Sequence, residues 1–285
     1  MKAKIRDTEL FFDVLGSAIE FTQDGVMEKP VMFLLHGGPG LDHSVFKNYC
    51  PELQDSVQMV MMDHRGCGRS KTGDPQTYTL ENNIEDIEML RDYLGLNKII
   101  VYGHSYGGMV AQGYALKYPE RVAKLILGVT VSDSDFYVAA RRNLQVRGNK
   151  KQIAWGEKLF NGGFENNEEL KQFFIDMAPI YSNKANREGI NVQAFDNMLL
   201  TYEATNKGFA EFMSELNYTP DLHKINCPVL VFAGRDDWIC PPEFAERIAM
   251  EIPNAQLRIF EDSSHSVAMD AHDEYIQTLR NFIVQ

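Results

Sequence analysis

The residues of this chain most able to do chemistry are Gly103-His104-Ser105-Tyr106-Gly107, which follow the apolar run Ile99-Ile100-Val101-Tyr102 and open into Gly108-Met109-Val110-Ala111-Gln112. A G-x-S-x-G between a strand and a helix is the pattern of a nucleophile elbow. The turn is so tight that only residues with almost no side chain fit beside the serine backbone, hence glycine at both flanks. It lifts the Ser105 hydroxyl from the strand end and turns the following amides toward it. A serine hydroxyl is a weak nucleophile until a base takes its proton, and that base needs an orienting acid. Behind such an elbow the chain order is Ser, then Asp or Glu, then His. Both partners follow predicted strands: Gly234-Arg235-Asp236-Asp237 after a run ending at Ala233, and Ser263-Ser264-His265-Ser266 after a run ending at Phe260. Asp237 is favoured over Asp236, which points the other way if the chain stays extended; Asp133 and Asp135 are the fallback. Acyl transfer also needs donors for an oxyanion, usually two backbone amides. One is the amide of Tyr106, and the other is expected from the loop His36-Gly37-Gly38-Pro39-Gly40.

These residues need a sheet whose carboxyl edge collects them. Val31–Leu35, Val57–Met62, Ile99–Tyr102, Leu125–Val129, Val229–Ala233 and Gln256–Phe260 read as strands. The near-continuous apolarity of most of them suits a parallel sheet covered on both faces. Ile5–Leu15 reads as a hairpin at an antiparallel edge. Leu80–Leu94 has a helical apolar period and ends at Gly95, a C-cap residue. Pro242–Glu251 and about Asp270–Ile283 read as further helices. Between 132 and 220 only helical periods are found: Gln152–Phe160, Glu168–Ile180, Val192–Thr205 and Phe209–Leu216. The expected fold is therefore α/β, a mostly parallel central sheet with helices on both faces. Residues 1–130 and 221–285 form the core, and 131–220 an inserted helical cap.

Bulk properties narrow the function. The chain has 285 residues and a net charge of -12, which argues against nucleic acid or an anionic membrane as partner. Leu10-Phe11-Phe12 is cut short by Asp13, so neither a signal peptide nor an anchor is expected. The four cysteines (Cys50, Cys67, Cys227, Cys240) lack C-x-x-C spacing and read as free thiols in a reducing cytoplasm. The seven histidines show no H-x-H or H-E-x-x-H grouping, so neither a metal nor another cofactor is expected. The oligomeric state is left open.

His36-Gly37-Gly38-Pro39-Gly40, Asp63-His64-Arg65-Gly66-Cys67-Gly68-Arg69-Ser70, the elbow, Gly234–Pro241 and the Ser-His pair together resemble the α/β-hydrolase superfamily. The first two loops resemble its proline iminopeptidase branch. The resemblance spans the core, while the cap matches only in position and helical character. It implies Ser105 as nucleophile, Asp237 as orienting acid, His265 as base, and the amides of Gly38 and Tyr106 as the oxyanion hole. Two places depart from the peptidase pattern. Many members read G-G-S-W-G at the elbow, where this chain has His104 and Tyr106, and some carry Glu after the catalytic Asp, where it has Trp238. An N-terminal prolyl substrate brings an ammonium group, for which Glu203 is the candidate partner; Tyr202 and Trp238 are the other candidate substrate contacts. Most aromatic residues of the cap read as its own core, and the cluster Arg141, Arg142, Arg147, Lys150 and Lys151 as a solvated face. The expected activity is cofactor-free hydrolysis of a small ester, amide or short peptide, proline iminopeptidase-like. The alternative is a carboxylesterase or lactonase acting on an apolar small molecule. Serine at 105 excludes the dehalogenase and epoxide hydrolase chemistries of this fold, which need a carboxylate nucleophile. The remote alternative is a non-catalytic ligand-binding protein of the same fold.

Overall fold

The computed structural model describes residues 1–285, the side chain of Ala194 apart. Its strands are β1 (Lys2–Ile5), β2 (Thr8–Leu15), β3 (Ile19–Thr22), β4 (Gly25–Glu28), β5 (Val31–Leu35), β6 (Gln58–Met62), β7 (Ile99–His104), β8 (Val122–Gly128), β9 (Val229–Gly234) and β10 (Ala255–Phe260). Eight of them form one sheet in the order β1-β2-β6-β5-β7-β8-β9-β10. The pairs from β6 to β10 are parallel, and β1 and β2 add an antiparallel edge. The helices are α1 (Ser44–Tyr49), α2 (Leu80–Tyr93), α3 (Tyr106–Lys117), α4 (Phe136–Arg147), α5 (Lys150–Phe160), α6 (Asn167–Tyr181), α7 (Asn183–Glu188), α8 (Tyr202–Ala210), α9 (Pro242–Glu251), α10 (Val267–Asp270) and α11 (His272–Val284). Among the described residues no helix is long and apolar enough to cross a membrane.

The period of two along each inner strand divides the interior into two cores. Phe33 and Leu35, Val101, Leu125 and Leu127, and Val229 and Val231 face the side packed by α2, α3 and α9. Met32 and Leu34, Ile100 and Tyr102, Ile126, and Leu230 and Phe232 face the side packed by α1 and α11. Strands sandwiched this way need apolar residues at every position, which is why their sequences run without alternation. The sheet order reverses at β5: the chain goes next to β6 on one side, then crosses to β7 on the other. The carboxyl ends of β5 and β7 therefore open a crevice of the kind in which α/β sheets bind ligands.

Between β8 and β9 the chain leaves the sheet for α4 to α8 and several 3₁₀ turns. Its two ends are joined at the base, where Asp133 bridges Asn217 and the Tyr218 amide donates to the Ser132 carbonyl at 2.7 Å. Two helices read from sequence differ in detail. Instead of one helix over 192–205, a 3₁₀ turn (Val192–Phe195) is followed by irregular chain up to α8. There the Leu199 amide donates to Asp42 Oδ2 and the Thr201 amide to the Gly40 carbonyl, both at 2.9 Å, so tertiary bonds take the donors a helix would use. The segment 209–216 splits likewise, with α8 ending at Ala210 and a 3₁₀ turn following at Phe212–Glu215. The exposed hairpin β3–β4 and helices α1 and α4 are additions that the sequence periods did not single out. The basic cluster on α4 and α5 is partly ion-paired: Arg141 with Glu157, Arg142 with Glu243, Lys151 with Asp176.

Candidate active site

Ser105 sits between β7 and α3 at φ +56° and ψ -121°, a backbone state that non-glycine residues rarely occupy. Its neighbours make that state tolerable. A Cβ on Gly103 would come 2.3 Å from the Gly107 carbonyl oxygen, and one on Gly107 would come 2.0 Å from that of Leu35. Glycine at these two positions lets α3 start directly above the sheet. The strand beside it braces the turn: the Ser105 amide donates to the Gly128 carbonyl, and Thr130 Oγ1 donates to the Ser105 carbonyl, both at 2.8 Å. Thr130 has no motif of its own; only its place after the neighbouring strand marks it.

Asp237 and His265 come from the ends of β9 and β10. One Asp237 oxygen, Oδ1, accepts the amides of Ile239 and Cys240 at 3.0 Å each, and the other lies 2.7 Å from His265 Nδ1. A carboxylate can only accept, so the proton between them belongs to Nδ1, and in the neutral imidazole this tautomer has its lone pair on Nε2. The pair is buried, and His265 and Ser105 line the same cavity. Asp236 is instead taken by Asn183 Nδ2 at 2.8 Å, while Asp133 is held by Arg247 at 2.7 Å. Cys240 joins Asp237 and His265 in a compact group of possible metal donors. Burial, and then the Asp237 charge, push its thiol pKa far up. Burial likewise pushes Cys67 up to about 12, out of the range of a reactive thiolate.

His104 lies beside this pair, its ring 5.6 Å from that of His265. Burial, and then the neighbouring His265, depress its pKa to about 3, so it is neutral at physiological pH. A charge on His265 therefore meets no like charge there.

The loop after β5 faces the elbow. Gly38, at φ +116°, lines the cavity, and neither its amide nor that of Tyr106 donates to a backbone carbonyl among the described residues. His36 shapes this loop from below. Its Nε2 accepts the His64 amide at 3.1 Å, which puts the ring proton on Nδ1, 2.8 Å from the Gly37 carbonyl. Burial lowers the His36 pKa and keeps this neutral form. From above, the helical insertion clamps the same loop, with Thr205 Oγ1 donating to the Pro39 carbonyl at 2.7 Å. The Asp63–Ser70 loop is scaffolding: Asp63 accepts the amides of His43 and Arg69, and Arg65 forks onto buried Asp86 at 2.7 Å through two nitrogens.

The cavity over Ser105 has a volume of about 830 Å³ and largely apolar walls, including Met109, Phe136, Phe173, Phe209, Met213 and Ile239. Its charged lining groups are Lys47, Lys184 and Glu188, and all three are exposed. The three expected substrate contacts lie elsewhere. Trp238 is fully buried behind the wall, its ring against Tyr181 and Phe160. Glu203 sits two residues from Thr205, about 200° around α8 from the face that meets the cavity. Burial raises the pKa of the Tyr78 phenol, and the nearby Glu203 charge adds a little to that rise. Tyr202, at the start of the helix, packs on the apolar core.

Residues 30–271 match the family described as the alpha/beta hydrolase fold. The chain is 33% identical over 280 residues to "Proline iminopeptidase PfmaB" of Pestalotiopsis fici, covering 96% of this chain and 98% of that one. It is 32% identical over 273 residues to a "Proline iminopeptidase" of Lactobacillus helveticus, covering 90% and 91%. An alpha/beta fold family hydrolase from Bacillus anthracis superposes with a TM-score of 0.79 at 19% identity, over 99% and 98% of the two chains.

Proposed function

The chain belongs to the α/β-hydrolase fold family, on the branch that resembles the proline iminopeptidases, and from this we propose that it is a serine hydrolase using Ser105, His265 and Asp237 on a carbonyl substrate. Ser105 Oγ adds to the carbonyl carbon as His265 Nε2 takes its proton. The amides of Gly38 and Tyr106 receive the oxyanion. The intermediate collapses as His265 returns the proton to the leaving group, and water then releases the acyl group by the same steps. Asp237 holds the imidazole in the tautomer this needs. Residues 131–220 act as the cap that shapes the substrate chamber over the core formed by 1–130 and 221–285.

The observation that carries this reading is the buried Asp237–His265 pair, 2.7 Å apart, whose His265 lines the same cavity as Ser105. The apolar walls favour an uncharged substrate with a sizeable apolar group, an ester or an amide. The relatives' names favour a second reading, release of N-terminal proline from short peptides. Under it, Glu188 at the mouth is the carboxylate available to a substrate ammonium, in place of Glu203. The test is turnover of 4-nitrophenyl butyrate beside a prolyl arylamide, with Ser105→Ala as control. The ester is expected to be the better substrate and the variant inactive. A faster prolyl amide would establish the second reading, and hydrolysis retained in Ser105→Ala would refute the mechanism.

A further inference from the structure

The loop that carries His265 is tied to the insertion on both sides of the histidine. Ser264 Oγ donates to the Ile180 carbonyl at 2.7 Å, and the Ser266 amide to the Tyr181 carbonyl at 2.8 Å. The Tyr181 ring stands edge-on to the His265 ring, with centroids 5.4 Å apart. At the centre of these ties is a carboxylate that the mechanism above does not use. Asp270 Oδ2 accepts the Ser264 amide at 2.9 Å and the Asn183 amide at 3.1 Å. Its Oδ1 accepts the Ser182 hydroxyl at 2.5 Å and the Lys184 amide at 2.9 Å. Both oxygens are shared, and Oδ2 bridges the residue before His265 to the residue that opens α7.

We propose that Asp270 is a positioning residue, whose carboxylate holds the His265 loop in register with the cap segment Ser182–Lys184. The proposal rests on the reading of His265 as the base. Ser182 and Lys184 also line the cavity. One carboxylate thus joins the chamber wall to the loop that must present Nε2 to Ser105. A carboxylate suits the place because three of its four donors are backbone amides, which cannot reverse their role. Asparagine keeps part of the function. The Ser182 hydroxyl is the one partner able to accept, so the amide group can turn its NH₂ there and leave its oxygen on the Ser264 and Asn183 amides, while the Lys184 amide loses its acceptor.

The test uses an alkyl fluorophosphonate, which needs no knowledge of the substrate. Ser105 Oγ bonds to phosphorus, fluoride leaves, and the serine proton passes to His265. Labelling of the whole chain is followed by mass at 25 °C, well below the melting temperature of each variant. In Asp270→Ala the maximal labelling rate should fall about tenfold or more, with the half-saturating concentration unchanged within about twofold. Asp270→Asn should recover part of the loss. A purely structural role would lower the melting temperature and leave the labelling rate alone. If Asp270→Ala does not fold, Asp270→Asn combined with Ser182→Ala takes its place, since the accepting hydroxyl is then gone, and the same tenfold loss is expected. A rate within twofold of the parent in the variant used, or no recovery with asparagine, overturns the proposal. Labelling of Ser105→Ala at the parent's rate would instead overturn the reading of the site itself, whatever Asp270 does.

Discussion

Acid should destabilise this protein through His104 in a way that one substitution removes. The folded ring has a pKa of about 3 against an ordinary value of 6.5, because it is buried and faces His265. Between those values the unfolded chain binds a proton that the native chain refuses, so stability rises with pH across this window and is lost as the medium is acidified. From pH 7 to pH 5 the linkage integral is about 2 kcal/mol for this one group. At pH 5 it is set almost wholly by the unfolded pKa; any folded value below about 4 gives the same figure. His36 and His64 are also pushed down by burial, so the absolute acid loss will be larger. The comparison with His104→Gln cancels them. Urea unfolding at both pH values, followed by far-UV circular dichroism, should show the parent losing about 2 kcal/mol more than the variant. A difference below about 0.5 kcal/mol would refute the neutral, buried state of His104.

Three other substitutions probe the site. Asp237→Asn would offer an NH₂ to His265 Nδ1 and move the ring proton to Nε2; ester turnover should fall about 10³–10⁴-fold with the fold intact, and a loss under about tenfold contradicts the assigned tautomer. Gly107→Ala puts a Cβ 2.0 Å from a backbone oxygen of β5, so at least several kcal/mol of stability should go, and an unchanged melting temperature would contradict this close approach. Thr205→Val deletes the 2.7 Å bond to the Pro39 carbonyl; about 1 kcal/mol of stability and about tenfold in kcat should be lost with KM little changed, whereas an effect confined to KM would mean that Thr205 touches substrate instead.

The parts of the site that were legible in the sequence are those whose constraints are local. The elbow is one continuous turn in which each glycine answers a contact within the turn or to an adjacent strand. Asp237 and His265 follow strands that any apolar-run reading finds, and parallel strands deliver their ends to one edge. Which side chains line the cavity was not legible. Trp238 is adjacent to Asp237 in sequence, but its side chain turns into the apolar layer behind the cavity wall. Glu203 was singled out by charge, whereas the turn of α8 decides which residues face the cavity, and it selects Thr205 and Phe209. The stretch 192–201 has a helical period and is not a helix, because Asp42 and the Gly40 carbonyl claim its amides. No local pattern encodes partners more than 150 positions away. Asp270 escaped notice for the same reason, since its carboxylate joins nearby Ser264 to the distant stretch Ser182–Lys184.

The helical insertion is bound to the loops of Pro39 and His265 as well as to the strands it departs from, and this bears on how such enzymes diversify. An insertion attached only at its base could be exchanged between relatives as a cassette. Here a graft joined at 131 and 220 would bring foreign neighbours to the Pro39 and Gly40 carbonyls and to Asp270, and the chemistry would suffer before any new specificity could be seen. Residues 188–191, with Phe195, Asn197 and Met198, by contrast, line the cavity between the two sets of ties. That short arc is where mutation can alter what enters without disturbing what reacts, and laboratory evolution of substrate range is best directed there.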